Sequence, residues 1–336
     1  MKPTIKDVAI HANVSISTVS RIINNQPGYS EATKEKVEKV IKEMGFHPNG
    51  LARGLIHKKT HTIGVLLPNI ISSFSSKLLN GIEESAHENH FSTIVCNTGP
   101  LGNRTLEYLK VLGEKKVDGI ILTSSPLKEE YYKEIKALDI PLILLSSMSY
   151  RYSVPYVKVD DKQAAYHATR YLIQNGHTKI AMISGSQDDE LAGMPRYEGF
   201  IKALGDHGLS VNENIIVYGD FGFQSGRTSM EQLLPFRDEF TAIFVASDDM
   251  AMGAISVASE HSLKVPDDFS VIGYDNTHIA EMAIPPLTTV AQPLREMGQV
   301  AIAKLIEMIN NQETIASAIM AHEIIERKTV KKIKST

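Results

Sequence analysis

From residue 62 onward, short β-branched runs alternate with segments of amphipathic helical period, and this alternation restricts the fold more than any other feature. The first series contains the runs "HTIGVLLP", "FSTIVCN", "VDGIILTS" and "PLILLSS", separated by helix patterns. A second series runs from Asp161 to about Val290, with "KIAMIS", "NIIVYG", "AIFVAS" and "FSVIGYD" as its buried strands. Repeated strand–helix units build parallel sheets covered by helices on both faces. The pattern therefore predicts an α/β body made of two doubly wound, parallel-sheet lobes.

The start of the chain has a different pattern, that of short capped helices. Thr4 and Asp7 are spaced as a capping box for a first helix, and Ser15 is placed to cap a second one after a tight turn. A third helix, capped by Ser30, stops at Gly45. This order predicts a three-helix helix-turn-helix domain, which places its second helix in the major groove of DNA. The residues that this helix would expose to base edges or phosphates are Ile16, Ser17, Thr18, Ser20 and Arg21.

Charge is distributed unevenly between these two parts. Residues 1–60 hold 10 Lys and Arg against 5 Asp and Glu, whereas the remainder holds 25 against 34. A basic head on an acidic body favours an anionic partner, such as nucleic acid, at one end of the chain. The single cysteine cannot form an internal disulfide, and the N-terminus has no apolar run as long as a signal peptide or a membrane span. We therefore expect a cytoplasmic protein without membrane association.

The chain lacks the motifs of common enzymes and cofactor sites. "HENH" does not have the spacing of a zinc-binding HExxH, "GFQSG" is not a G-x-S-x-G elbow, and no G-x-G-x-x-G or P-loop follows a strand. The acidic run "DDE" at 188–190 is interpreted as a solvated loop. We therefore predict a protein that is not an enzyme and that uses neither a cofactor nor a metal ion.

Ligands of open α/β sheets bind outside the carboxyl ends of the strands, so the loops after "LLP", "MIS", "VAS" and "GYD" are the expected site. Arg196 lies near the start of a helix there. Its guanidinium could grip vicinal hydroxyls or a carboxylate, or else form a surface ion pair. Asp275 ends a strand and can accept hydrogen bonds from ligand hydroxyls. Asp248 is expected to cap the helix that begins at Met250.

The stretch "HPNGLARGLIHKK" lies between head and body and fits neither a stable helix nor an ordinary linker. Leu51, Ala52 and Leu55 have helical spacing, but Gly50 and Gly54 each disfavour a helix by about 1 kcal/mol relative to Ala. Because isolated short helices are marginal even without glycine, we expect this one to be unfolded in the free protein.

Six ordered stretches carry a resemblance to a known family. "TIKDVAIHANVSISTVSRIINN", "FHPNGLARGL", "IGVLLPNI", "GHTKIAMISG", "ASDDMAMGA" and "VIGYDNTHIAEMAIPPLTTVAQP" resemble the LacI/GalR family of bacterial transcription regulators, over nearly the whole chain. The resemblance implies two lobes like those of periplasmic sugar-binding proteins, with a cleft between them and chain crossovers near residues 160, 291 and 317.

The resemblance also implies domain bounds. A DNA-binding head is expected at residues 1–47 and a hinge at 48–60, followed by an effector-binding and dimerisation domain over 61–330. Within that domain, the two lobes are expected at about 61–160 with 292–316, and at about 161–291 with 317–330.

In the family, the hinge folds on the operator, where paired hinge helices enter the minor groove. A leucine, here Leu55, then wedges between base pairs. Ala52 would pack between the two hinge helices, and Arg53 would contact phosphates. The further head positions implied as DNA contacts are Thr4, Ser15, Asn24 and Tyr29.

The resemblance assigns an effector site as well. Arg196 corresponds to an effector anchor of the family, and Asp275 to an acceptor for ligand hydroxyls. Phe74 and Phe221 match aromatic positions that stack on the ligand, which suits the apolar C–H face of a sugar; the alternative for either is a place in the core. Ser146 departs from the acidic residue that several relatives have there. The remaining candidate positions are Asn69, Ser75, Ser247, Asp248 and Gln292.

The function implied is that of a homodimeric transcription regulator, a repressor. It would bind a palindromic double-stranded DNA operator and respond to a small sugar or related metabolite. A catabolite-control regulator, whose co-effector is a phosphorylated carrier protein, is the alternative within the family. The arginine that grips phosphoserine in such proteins corresponds to Ala303 here, and Arg196 sits where they tend to lack it. Both features favour a small-molecule effector.

Overall fold

The chain divides into two compact units, Met1–His61 and Thr62–Thr336. The computed structural model describes residues 3–23, 26–46, 59–99, 102–311 and 315–333. Most of the predicted hinge lies outside the described residues, and so do four of the predicted DNA contacts, Asn24, Ala52, Arg53 and Leu55. No helix of the described part is both long enough and apolar enough to cross a membrane.

The first unit contains three helices, α1 (Ile5–Ala12), α2 (Ile16–Ile23) and α3 (Glu31–Met44). The predicted caps are confirmed. Thr4 and Asp7 form the capping box of α1, the Ser15 hydroxyl accepts the N–H of Thr18 at 3.1 Å, and Ser30 caps α3. The side chains buried between the helices are Val8, Ala9, Ala12, Val19, Ile22, Val37 and Phe46. Phe46, just beyond the third helix, joins this core from outside the helices, and Val14 and Tyr29 pack against it from the connecting segments.

The second unit consists of two lobes, each built on a six-stranded sheet. The strands of the first lobe are β1 (Thr62–Leu67), β2 (Ser92–Asn97), β3 (Gly119–Thr123), β4 (Leu142–Leu145), β5 (Tyr156–Val159) and β11 (Ala318–Met320). They lie in the order β11-β5-β4-β3-β1-β2, all parallel. The helices of this lobe are α4 (Ser73–Glu88), α5 (Thr105–Lys115), α6 (Glu129–Leu138) and α12 (Leu294–Asn311).

The strands of the second lobe are β6 (Ile180–Ser184), β7 (Ile216–Tyr218), β8 (Ala242–Val245), β9 (Ser270–Asp275), β10 (Thr288–Ala291) and β12 (Glu323–Ile325), in the order β12-β10-β9-β8-β6-β7. The helices are α7 (Asp161–Gln174), α8 (Gly193–Asp206), α9 (Phe223–Leu233), α10 (Asp248–Glu260) and α11 (His278–Met282). Separate apolar clusters cover the two faces of each sheet, which is the arrangement predicted for doubly wound lobes.

Two details differ from the sequence expectation. The edge strand β12 pairs antiparallel with β10, so the second sheet is not purely parallel. The chain crosses between lobes after β5, after β10 and again between β11 and β12. The third crossing therefore lies at Ala321–His322 and not near residue 317, because Ala318–Met320 still pair with Val157–Val159 of the first sheet.

The helices α7 and α8 lie directly against each other because α8 has a glycine at the contact. A Cβ added to Gly199 would lie 2.1 Å from the carbonyl oxygen of Lys162 and 2.9 Å from the backbone nitrogen of Tyr166. Only a residue without a Cβ permits this approach. The contact matters for the site, since each of these helices carries one half of the ion pair described next.

Candidate ligand site at the strand ends

Arg196 and Asp161 form a buried ion pair. Arg196 lies in the first turn of α8, and Asp161 is the first residue of α7. The Nε and Nη2 atoms of Arg196 donate to Oδ1 of Asp161 at 3.0 and 2.9 Å, and Nη1 donates to the carbonyl oxygen of Ala246 at 2.5 Å. Arg196 is 5% exposed and Asp161 is 6% exposed. The ion pair considered as an alternative role of Arg196 therefore exists, but it is buried and not on the surface.

Two more side chains complete this cluster. The Nζ atom of Lys158 lies 3.2 Å from Oδ2 of Asp161 and donates to the carbonyl oxygen of Leu191 at 3.2 Å. The Tyr274 hydroxyl donates to Oδ1 of Asp161 at 3.1 Å, while the Tyr274 ring centroid lies 3.7 Å from Cζ of Arg196. The guanidinium is thus held at its edge by a carboxylate and at its face by an aromatic ring.

The pairing leaves part of Arg196 for a ligand. A guanidinium carries five N–H donors, and three of them are used by Asp161 and Ala246. Counting contacts with the described residues, one N–H remains on each terminal nitrogen. Two such donors suit two adjacent oxygen acceptors, such as neighbouring hydroxyls.

Phe221 lies next to this arginine, in a strained conformation. Its ring centroid is 5.4 Å from Cζ of Arg196, and a Cβ added to Gly185 would lie 2.1 Å from the ring. The backbone of Phe221 has a φ of 67°, and its carbonyl oxygen accepts the hydroxyl of Ser247 at 3.0 Å. A bulky residue in the left-handed region costs about 1–3 kcal/mol, and such strain is concentrated at functional sites. Other positive-φ residues at strand ends are Ser124, Ser146, Asp275 and Asn276.

Asp275 is the last residue of β9 and is buried, with a φ of 116°. Its Oδ1 accepts Nε2 of Gln292 at 2.7 Å, which ties the strand end to the second crossing. Burial raises the pKa of this carboxyl well above its usual value, although the charge of Arg196 acts in the opposite direction. The Asp275 side chain is therefore a polar group held in place at the predicted edge of the sheet.

Ser247, and not Asp248, caps α10. The hydroxyl of Ser247 accepts the N–H of Met250 at 3.1 Å. Asp248 is fully buried and accepts the N–H and the hydroxyl of Thr277 at 2.7 and 3.0 Å and the hydroxyl of Thr289 at 2.6 Å. The capping role expected of Asp248 is wrong because its carboxylate instead takes three donors that follow or belong to neighbouring strands.

Burial also makes Asp248 sensitive to pH. It raises the pKa of this carboxyl from 3.8 to about 6, against the opposing effect of the Thr289 and Thr277 hydrogen bonds. At a pH between 3.8 and about 6, the folded state therefore binds more protons than the unfolded state. The contribution of Asp248 to stability is therefore fully present below pH 3.8 and is lost as the pH rises through about 6.

We expect the free energy of unfolding of the wild type to fall, relative to that of Asp248→Asn, as the pH rises from about 4 to about 6. Urea denaturation at several pH values measures this difference. A difference that is constant or grows with pH over this range would contradict the raised pKa.

The first lobe supplies the other predicted effector residues. Asn69 is exposed in the loop after β1, and its Oδ1 accepts the N–H of Ile71 at 2.9 Å. Phe74 packs against the apolar core, and the buried Ser75 hydroxyl accepts that of Ser72 at 2.9 Å. The hydroxyl of Ser146 is buried and has no hydrogen-bond partner in the described part of the chain.

Besides the contacts of Lys158 on β5 with Asp161 and Leu191, two hydrogen bonds from α4 join the lobes directly. The Ser73 hydroxyl donates to Oδ1 of Asp249 at 3.2 Å, and Nζ of Lys77 donates to the carbonyl oxygen of Asn276 at 2.7 Å. Ser73 and Lys77 lie on α4, whereas Asp249 and Asn276 belong to the second lobe. A ligand that changed the spacing of the lobes would have to remake these bonds.

The structure thus brings the predicted residues of the second lobe together around Arg196 and Asp275. Those of the first lobe lie after its own strands, Asn69 and Ser146 in loops and Phe74 and Ser75 in the first turn of α4. Asp161, Lys158 and Tyr274 were missed. A usable signal existed for Asp161, which comes two residues after the end of β5 at the first crossing, and for Tyr274, which precedes Asp275. Lys158 lies within a buried strand, and nothing in the sequence around it indicated that its partner is Asp161.

Eight of the predicted DNA contacts are among the described residues of the first unit. Ile16, Ser17 and Arg21 are exposed on α2, whereas Thr18 and Ser20 are half-buried. The Ser15 and Thr18 hydroxyls lie 2.8 Å apart, and Tyr29 packs against the core of the head. The side chain of Thr4 is used by its capping box.

Both parts of the chain match models of protein families. Residues 4–49 match the model described as "Bacterial regulatory proteins, lacI family". Residues 60–328 match the model described as "Periplasmic binding proteins and sugar binding domain of LacI family".

Similar proteins cover the whole chain. It is 38% identical to catabolite control protein A of Priestia megaterium, over 98% of this chain and 100% of that protein. The lac repressor dimer bound to operator and the anti-inducer ONPF superposes with a TM-score of 0.88 at 28% identity, and a complex of the transcriptional regulator CelR with cellobiose with a TM-score of 0.75 at 30% identity. Each comparison covers 98% of this chain and 100% of the other.

Proposed function

The chain belongs to the lacI family of bacterial regulatory proteins, and on that basis we propose that it represses transcription as a homodimer whose hold on a palindromic operator is controlled by a sugar. It is a DNA-binding transcription regulator with a ligand-binding body, as its relatives are. A dimer with two-fold symmetry presents two heads to two half-sites, so the operator would be palindromic.

The arrangement around Arg196 is the observation that supports a sugar. The two remaining N–H donors of Arg196, the nearby Asp275 carboxyl and the Phe221 ring provide the contacts that a sugar uses. Hydroxyls accept from the guanidinium and donate to the carboxyl, and an aromatic face suits the C–H face of the ring. The similar protein CelR, whose structure is a complex with cellobiose, is consistent with this assignment.

The DNA-binding half of the proposal depends on α2. Ile16, Ser17 and Arg21 are exposed on it, and short polar side chains with one long cation can reach base edges and phosphates in the major groove. The hinge contacts of Ala52, Arg53 and Leu55 remain part of the proposal from family membership, since they lie outside the described residues.

Control by the sugar would operate through the spacing of the lobes. A ligand shifts an equilibrium only by its difference in affinity for two states. A sugar that contacts the strand ends of both lobes would favour one distance between the lobes. The bonds from Ser73 and Lys77 to the second lobe would either persist at that distance or be replaced by others. The three crossings join the lobes, so a change of spacing is passed along the chain toward the hinge.

Regulation by a phosphorylated carrier protein is the second candidate, because the chain is 38% identical to catabolite control protein A. Residue 303, where such regulators would need a cation for the phosphoserine, is an exposed alanine on α12. This surface therefore favours the small-molecule effector over the carrier protein.

Operator binding tests the proposal. We expect the full-length chain to select a palindromic site from random duplexes, with an affinity that falls steeply as salt rises, because Lys and Arg contacts release counterions from DNA. Fluorescence anisotropy measures both the affinity and its change on adding each sugar of a panel. An affinity that does not depend on salt, or an operator affinity that no sugar alters, would contradict the proposal.

A further inference from the structure

The helices of the second lobe share one feature at their N-terminal ends. The N-terminus of a helix is a site that attracts anions, because its N–H groups lack partners and its dipole is positive there. In this lobe each of these ends already has an aspartate of the chain itself. The helices concerned are α7, α8, α9, α10 and α11.

The end nearest the candidate site is that of α8, the helix that carries Arg196. The carboxylate of Asp189 accepts the N–H groups of Leu191 at 3.0 Å, Ala192 at 3.3 Å and Gly193 at 3.0 Å. Three backbone donors that a phosphate or carboxylate would use are therefore occupied. The acidic loop interpreted from sequence as merely solvated thus contains the cap of this helix.

Aspartates also lie at the starts of the other four helices, each with fewer backbone contacts than Asp189. Asp160 accepts the N–H of Gln163 at the start of α7, at 3.0 Å, and Asp220 accepts that of Gly222 before α9, at 2.9 Å. The first turn of α10 contains Asp248 and Asp249. Asp248 also accepts the N–H of Thr277, the residue before α11, at 2.7 Å.

Arg196 offers no unbalanced charge either. Its guanidinium is bonded to Asp161, which also has Nζ of Lys158 at 3.2 Å, and Asp275 is close enough for its charge to interact with that of Arg196, so two cations face two carboxyl groups. A guanidinium whose carboxylate partner belongs to the protein retains hydrogen-bond donors but has little attraction left for a second anion. Its remaining N–H groups favour neutral acceptors.

Building on the proposed function, we infer that the second-lobe side of the cleft is selective for uncharged, polyhydroxylated groups of the effector and excludes phosphate and carboxylate groups of sugar phosphates and sugar acids. The negative charges of the aspartates at the five helix ends supply the exclusion, and Arg196 with Asp275 supplies the recognition of hydroxyls. The inference applies to the second lobe. In the first lobe, Arg104 and Lys128 precede α5 and α6 and form no side-chain cap.

Asp189→Ser tests the exclusion, with Asp188→Ser as its matched control. Both variants remove one negative charge from the same loop, but only Asp189 caps α8, whereas Asp188 is exposed. Calorimetric titration of the full-length proteins with inorganic phosphate, at constant ionic strength, measures the anion affinity. We expect Asp189→Ser to bind phosphate about tenfold more tightly than the wild type and Asp188→Ser to match the wild type.

Equal phosphate affinity in all three proteins, or an equal gain in both variants, would overturn the inference. Operator release by glucose and ribose, each compared with its monophosphate, separates this result from the proposed function. Release of the operator by a monophosphate but not by its parent sugar would refute the exclusion of anionic effectors. The proposed function, a repressor controlled by a sugar compound, would still stand. If neither form of any sugar acted, the proposed function would fail, while the phosphate titration would still decide whether the lobe excludes anions.

Discussion

Arg196→Met should lower the free energy of unfolding of the body by about 3–5 kcal/mol, the usual cost of breaking a buried ion pair from one side. The substitution leaves the carboxylate of Asp161 buried, with Lys158 and the Tyr274 hydroxyl as its remaining partners. It also removes the donor to the carbonyl oxygen of Ala246. Urea denaturation followed by circular dichroism measures the loss.

Arg227→Met provides the control for the arginine itself. Arg227 forms a two-pronged pair with Glu260, at 2.7 and 2.8 Å, but Glu260 is half exposed. Because water replaces the lost partner there, we expect a far smaller change in stability. Similar losses of unfolding free energy in both variants would show that burial of the Arg196 pair does not increase its contribution to stability. Any test of Arg196 by its effector response must therefore first show that the variant is folded.

Gly199→Ala should destabilise the second lobe by about 3 kcal/mol, the upper end of the usual cost of overpacking. The added methyl would lie 2.1 Å from the carbonyl oxygen of Lys162, which is backbone and cannot rotate away. The helices α7 and α8 must then separate, and this pulls Asp161 away from Arg196. We therefore expect weaker effector binding together with the lower stability, measured by calorimetry and by urea denaturation.

Gly205→Ala makes the same chemical change on the same helix. A Cβ added to Gly205 has no neighbour within 4 Å. Alanine is the better helix former, so this variant should gain up to about 1 kcal/mol and bind effector normally. Were Gly199→Ala as stable as Gly205→Ala, the close packing of α7 on α8 would not be needed.

The sequence contained most of the architecture because each element has a local signal. The caps at Thr4, Ser15 and Ser30 and the β-branched runs depend only on near neighbours in the chain. The third crossing was misplaced because Ala318–Met320 is a short strand whose place depends on a partner far away, Val157–Val159. The antiparallel pairing of β12 was not predicted for the same reason, since it depends on the distant strand β10.

The site was predictable as separate residues but not as a network. Arg196 and Asp275 stand at positions that helix and strand patterns identify, yet the partner of Arg196 lies 35 residues away on another helix. The capping duty moved from Asp248 to Ser247 because an aspartate can serve either the helix or a neighbouring strand end, and only the folded chain brings Thr277 and Thr289 within its reach.

The third crossing has a consequence for how the body can be divided. β11 is the edge strand of one sheet and β12 the edge strand of the other, and only Ala321 and His322 separate them. A chain ending at residue 311 would therefore lose one strand from each sheet at the same time. Neither lobe is a transferable module, so a chimera that exchanges the ligand specificity of this regulator must exchange the whole body from Thr62 onward.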